Sequence, residues 1–344
     1  MQLPQWLIIS GRIALALGAF TLLSGIVYEQ TARYLVRSAD RPQGTFVEIN
    51  GHPLHLVKEG EGGPTVVFVP GIGEHHASWK ELQSKVAATT TTLNYDRFGL
   101  LFSKVNRDPL EADAISKDLE ALLEQGDFPR PYILVGQGLA SCFLRPFIRS
   151  QEDNIASIIL LDPEHHEYEK RMSSRLRDYI EKSREPRWWT EFQNGFGFLR
   201  SRYKRSPHYD FLHAEDPNNV FYRDNFFRSV PGIFYERKAQ ESFRELANTY
   251  ATFGDIPLTI MSGTGTHRTA FIQDQQLQEE AYQLWQDLQK EQLMLSDDSR
   301  QVLVAESGAA IHIEQPDAVV RAIKEHLQAL EQTDTQSFVV PETN

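Results

Sequence analysis

The sequence predicts an α/β fold: a mainly parallel, eight-stranded sheet flanked by helices, with a helical insertion. Three observations predict it. Short, continuous apolar runs recur along the chain, and such runs suit strands buried on both faces. Segments with helical periodicity alternate with them, which implies crossover connections between parallel strands. One long, charged and aromatic stretch then breaks the alternation.

Before the first strand lies "WLIISGRIALALGAFTLLSGIVY", residues 6–28, whose one charge is Arg12. A helix of about 20 apolar residues spans a bilayer. An uncleaved anchor over 1–30 is expected. A cleaved signal peptide is the competing reading, although its charged leading region would be short and no A-x-A site follows. Arg33, Arg37 and Arg41 follow the span, so the positive-inside rule leans towards a cytoplasmic main domain. The polar run "RSADRPQG" places a linker within 31–45.

The main domain is expected over 46–333. It opens with "TFVEI" and "LHLV", two strands joined by Asn50-Gly51, a strong hairpin signal. "TVVFV", "TTTTLNYD", "YILVG", "ASIILLD", "PLTIM" and "QVLVA" supply the remaining strands. Among the helical stretches, 112–126 gathers Ile115, Leu119, Leu122 and Leu123 on one face and ends at Gly126, a C-cap. The last helix aligns Val319, Val320, Ile323 and Leu327 behind Pro316. Residues 164–255 hold no clear buried strand and read as a helical cap. Residues 334–344 read as a flexible tail.

The formal net charge of -12 argues against nucleic-acid binding, which needs a basic face. The single cysteine, Cys142, excludes an internal disulfide.

Five segments, in order, are "VPGIGEHHASW", "NYDRFGLLFS", "LVGQGLAS", "LLDPEHHE" and "SGAAIHIEQPDAV". Together they resemble the α/β-hydrolase superfamily, closest to membrane-tethered bacterial members of the AB hydrolase-1 type. The resemblance covers roughly residues 46–330. It implies a strand-to-helix elbow carrying a serine nucleophile, a histidine base after the last strand and an acid on a neighbouring loop. At the elbow the nucleophile position is Gly138, between Gly136 and Ala140. The base position is Ala309. The acid loop, "SGTGTHRT", has no carboxylate. A Ser→Gly and a His→Ala replacement made deliberately would look similar, but the altered Ala140 and the changed acid loop argue against it.

The family's oxyanion donors are backbone N–H groups, and they carry over to Ile72, between Gly71 and Gly73, and to Leu139, two residues after Gln137. Both can donate whatever their side chains. A donor pair without a nucleophile describes a site that binds an acyl-type carbonyl or carboxylate and leaves it intact.

Substitutes for the missing groups are Ser141, Asp162 and His312. Ser141 and Cys142 stand about one helical turn past the elbow and are expected inside the packing. Asp162 is expected to hydrogen-bond locally in its L-D-P pattern. His312 is expected to pack or to cap the last helix. The pairs His75-His76 and His165-His166, with Glu164 and Glu167 beside the second, could instead converge as a metal site through His76, His166 and Glu164. No cofactor is otherwise implied. The leading expectation is a membrane-anchored, non-catalytic protein that binds a small acyl-type ligand or a membrane-protein partner. The alternatives are a hydrolase with a rewired, metal-assisted site and a purely structural role in a membrane complex.

Overall fold

The structure is a computed structural model that describes residues 4–39, 43–103, 110–203 and 217–337. For 36–39, 203, 217–228 and 333–337 it describes the backbone alone. The chain forms two compact units, residues 43–183 with 232–344 and residues 1–42 with 184–231.

The larger unit holds the whole sheet. Its strands are β1 (Thr45–Ile49), β2 (His52–Glu59), β3 (Thr65–Val69), β4 (Thr92–Tyr95), β5 (Tyr132–Gln137), β6 (Ile155–Leu161), β7 (Leu258–Gly263) and β8 (Ser299–Val304). They lie in the order β1-β2-β4-β3-β5-β6-β7-β8. β1 and β2 pair antiparallel, β2 pairs antiparallel with β4, and the other neighbours are parallel. The expected hairpin is present. Asn50 (φ 54°) and Gly51 (φ 77°) both take the left-handed backbone that a two-residue turn between twisted strands needs.

The helices are α1 (Gln5–Ala39), α2 (Lys80–Ala87), α3 (Ala114–Gln125), α4 (Ala140–Phe143), α5 (Arg145–Ser150), α6 (Tyr168–Arg171), α7 (Ser174–Ser183), α8 (Arg187–Gly195), α9 (Phe198–Tyr203), α10 (Pro217–Thr249), α11 (Gln275–Glu291), α12 (Ile311–Glu314) and α13 (Pro316–Ser337). Side chains alternate across each strand, so the sheet has two cores. Val67, Leu93, Leu134 and Leu160 face the cluster with Ile115, Leu119 and Phe243 of α3 and α10. Val66, Phe68, Ile133, Val135 and Ile159 face Leu82, Val86, Val319 and Ile323 of α2 and α13. Gly126 caps α3, bonding through its N–H to the Leu122 carbonyl. The left-handed residue that turns the chain away is the next one, Asp127 (φ 50°).

In the smaller unit α1 is long and apolar enough to cross a membrane. It does not stop at residue 30 but continues to Ala39, past a Glu29–Arg33 pair one turn apart. Much of the expected linker is therefore helical, and residues 40–42 lie outside the described residues. The expected cap is divided, with residues 184–231 in the smaller unit and the rest in the larger. The division falls at Pro231 inside α10, where the helix lacks a backbone donor. At the other end, α13 runs to Ser337 through the start of the expected tail, and 338–344 lie outside the described residues.

Candidate functional site

The carboxyl ends of the parallel strands gather the loops after β3, β5, β6, β7 and β8, the place where open α/β sheets bind ligands. A cavity of about 320 Å³ opens there, and Ile72, Gln137, Gly138, Leu139, Asp162 and Ala309 are among its lining residues.

The elbow is built as a backbone feature. Gly136 sits tightly, since a Cβ there would lie 3.1 Å from Ala140 and 3.3 Å from Leu144. Gly138 takes φ 56°. Its N–H donates to the Leu161 carbonyl at 3.1 Å, and its own carbonyl accepts from the Glu164 N–H at 3.0 Å. A Cβ at Gly138 would meet nothing within 4 Å. The place of a nucleophilic side chain is thus open space. Gln137 Nε2 donates to the Ala309 carbonyl at 3.2 Å, and its amide oxygen lies so close over Gly71 that a Cβ there would collide with it. Among the described residues, neither the Ile72 nor the Leu139 N–H has an acceptor.

The loop carrying Ile72 is held from both sides. Arg97 donates to the carbonyls of Pro70 (2.5 Å) and Gly71 (2.6 Å) and to Glu236 Oε1 (2.6 Å). Glu236 Oε2 accepts from the Gly73 N–H at 2.7 Å. Gly71 and Gly73 therefore shape the loop and are not among the lining residues. Only the "R" of "NYDRFG" hinted at this clamp, because its partner lies 139 positions away.

Asp162 lines the cavity but is fully engaged. Its oxygens accept from Arg268 Nη1, from Trp285 Nε1 (3.0 Å) and from the Gly263 N–H (3.3 Å). These partners are distant in sequence and not the local ones expected, because a left-handed Asp162 (φ 47°) carries its side chain beside β7 and α11. Burial raises its pKa, and the Arg268 charge opposes the rise. The Arg268 guanidinium also lies 3.6 Å from the centre of the Trp285 ring, a cation–π contact. The loop without a carboxylate thus supplies a cation to the cavity wall.

Ser141 is buried, and its Oγ donates to the Glu164 carbonyl at 2.7 Å. Cys142 is buried beside it, and burial pushes its thiol up to about 11. His312 stacks on Trp79 with ring centres 4.2 Å apart; its Nε2 lies 3.8 Å from a Glu74 carboxylate oxygen, and among the described residues neither ring nitrogen has a hydrogen-bond partner. It packs and does not cap.

The histidine pairs do not converge on one point. His76 Nδ1 and His55 Nδ1 each bond a different oxygen of Asp96, at 2.8 and 2.9 Å, in a buried network under the loop. Burial works against ionisation of Asp96, but the charge of His76 and the hydrogen bonds from both imidazoles outweigh it and hold the carboxyl well below its usual range. His75 is buried, and burial lowers it to about 4. His165 and His166 stack on each other at 4.3 Å, and His165 Nδ1 accepts from the Glu167 N–H at 3.1 Å. Burial lowers His165 to about 4. Glu164 turns instead to Arg244, whose Nη2 lies 2.6 Å from its Oε1. Among the described residues, two groups bring metal-ligating atoms within 4.8 Å of one another: His55, His76 and Asp96, and His165, His166 and Glu167. No histidine of either group is among the residues lining the cavity.

A strand-to-helix elbow after β5, a clamped glycine loop after β3 and a cavity at the carboxyl edge of this sheet define a hydrolase-type α/β scaffold. The chain belongs to the alpha/beta hydrolase family, whose sequence profile matches residues 66–322. It is 24% identical over 276 residues to the uncharacterized protein YqjL of Bacillus subtilis (strain 168), covering 80% of this chain and 88% of that protein. Among solved structures it is similar to a thermophilic esterase from Thermogutta terrifontis (TM-score 0.55, 19% identity, 85% of this chain and 99% of that one). It is also similar to the Cif epoxide hydrolase from Acinetobacter nosocomialis (TM-score 0.62, 14% identity, 88% and 96%). A third similar structure is a bacterial membrane phospholipase A (TM-score 0.60, 14% identity, 95% and 99%).

Proposed function

We propose that this protein is a membrane-tethered member of the family that binds an acyl-type ligand through its carbonyl or carboxylate and does not cleave it. One observation carries the reading. Gly138 and Ala309 line the same cavity as Ile72 and Leu139, whose amides have no acceptor among the described residues. The donors for a developing or resident negative charge are kept. The side chains that would attack and shuttle a proton are missing, and serine-hydrolase chemistry needs its members as a unit. Ser141 and Cys142 do not replace them, being buried and turned towards the Glu164 carbonyl. The tether is α1, whose apolar side chains from Trp6 to Val27 are largely exposed.

The test uses the full chain in nanodiscs, a panel of short- to long-chain carboxylates, and the matching nitrophenyl esters. Binding of a carboxylate, lost in Ala309→Phe with the fold intact, and no ester turnover are expected. Turnover, or labelling by a fluorophosphonate that disappears in Ser141→Ala, would overturn the reading. Turnover that needs zinc or manganese and disappears in His166→Ala would establish the rewired hydrolase. A folded protein that binds no member of the panel would favour a membrane-protein partner or a structural role.

A further inference from the structure

The smaller unit contains a surface that the cavity does not explain. Two of the five tryptophans, Trp79 and Trp285, are buried in the larger unit, and Trp6 lies on α1. The other two, Trp188 and Trp189, are adjacent on α8 and are 67% and 40% exposed. They begin an aromatic row. Trp188 meets Trp189 with ring centres 5.6 Å apart, Trp189 stacks on Phe192 at 5.4 Å, and Phe192 meets Phe196 at 4.6 Å.

This row is joined to α1 at a defined height. The backbone at Phe196 comes so close to Gly25 that a Cβ there would overlap the Phe196 carbonyl oxygen. A Cβ at Gly197 would likewise press on the Tyr28 ring. One turn further, Glu29 is fully buried and accepts from Arg200 of α9 at 2.9 Å and from Arg33 at 2.8 Å. At a rise of about 1.5 Å per residue, the apolar stretch from Trp6 to Tyr28 is about 33 Å long, close to the roughly 30 Å hydrocarbon thickness of a bilayer. Gly25, Tyr28 and Glu29 therefore stand where the hydrocarbon ends. A buried, doubly paired carboxylate at that height fixes α9, and the turn before it, against α1. Amphipathic indole rings favour this layer over both bulk water and hydrocarbon.

We propose that α8 and the α8–α9 turn lie in the headgroup layer of the bilayer that α1 crosses, with Trp188 and Trp189 in contact with lipid. The inference rests on the reading of α1 as a membrane-spanning helix. The partner it commits to is a phospholipid surface, because the row is continuous with a helix whose own exposed apolar side chains require lipid.

The experiment places the full chain in vesicles of phosphatidylcholine and phosphatidylglycerol, with part of the phosphatidylcholine brominated at shallow or deep chain positions. Trp6→Phe removes the one other exposed tryptophan. Emission of this variant is expected to be quenched more by shallow than by deep bromines. Trp188→Phe/Trp189→Phe in the same background is expected to lose most of the quenching. A second readout is a nitrobenzoxadiazole dye on Trp188→Cys, which should shift to the blue on vesicle incorporation; the native Cys142 is buried. Flotation separates this inference from the one beneath it. If the chain does not float with vesicles, the spanning reading fails and takes this inference with it. If it floats and bromines leave the emission unchanged, this inference alone is overturned. Emission already shifted to the blue in detergent, and insensitive to bromolipid, would show that the pair packs against a second copy and would overturn it too.

Discussion

Arg97 and Glu236 meet at 2.6 Å with both side chains almost wholly buried, and between them they hold Pro70, Gly71 and Gly73 around Ile72. The loop carrying Ile72 is thus fixed by an ion pair that joins β4's end to α10. Removing one member of a buried pair strands the other charge, which costs about 3–5 kcal/mol. Glu236→Ala is expected to lose stability on that scale in urea denaturation and to weaken carboxylate binding as the loop loosens. Arg97→Met/Glu236→Leu, which strands no charge, is expected to recover most of the stability but not the affinity.

Gly138→Ser is expected to fold, because the space for its side chain is open. The φ of 56° costs an L-residue about 1–2 kcal/mol, so a modest drop in thermal midpoint is expected. Alone it should not turn over esters, since Ala309 stands at the base position. With Ala309→His added, the hydroxyl and imidazole share one cavity, and slow fluorophosphonate labelling seen by intact mass is the expected result.

His312 is buried against Trp79, with Nε2 3.8 Å from Glu74 and neither ring nitrogen hydrogen-bonded among the described residues. Phe keeps a ring there and removes the orphaned polar atoms, which are costly in a buried site. His312→Phe is expected to be neutral or stabilising in thermal denaturation and to leave ligand affinity unchanged. His312→Ala opens a void and should cost about 2–4 kcal/mol.

Stability should fall between about pH 6.5 and pH 4 as well as at lower pH. His75 is lowered to about 4 by burial, so between these values the unfolded chain binds a proton that the folded chain does not. Stability linked to this group is complete above the unfolded value near 6.5, is lost as pH falls, and stops changing below the folded value. His165 and His326, also lowered to about 4 by burial, act over the same range, so His75→Gln is expected to reduce the slope of that part of a pH series of urea midpoints without abolishing it. Asp96, also lowered in the folded state, follows the same proton balance at lower pH: its contribution is present above the ordinary carboxylate value and is lost only below it. Loss of stability beneath pH 4 should therefore persist in His75→Gln.

The strands were legible because each is a local pattern. "TVVFV" and "YILVG" are short apolar runs that can be buried only in the middle of a two-faced sheet, and Asn50-Gly51 encodes its own turn. The elbow was legible for the same reason, since Gly136, Gly138 and Ala140 satisfy a local backbone demand. Local pattern did not reveal where α1 stops. Helix-forming residues and a Glu29–Arg33 pair carry it past the apolar stretch to Ala39.

By itself, the sequence determined the eight-stranded architecture and the absence of a serine at 138 and a histidine at 309. Hydrophobic periodicity and residue identity are both properties of single segments. Only the tertiary structure decided what the polar side chains do. It sent His76 to Asp96, Glu164 to Arg244 and Asp162 to Arg268, and it set Glu236 on the loop beside Ile72. A buried charge takes the partner that the packing of distant elements brings within hydrogen-bond reach. No spacing along the chain states which partner that is.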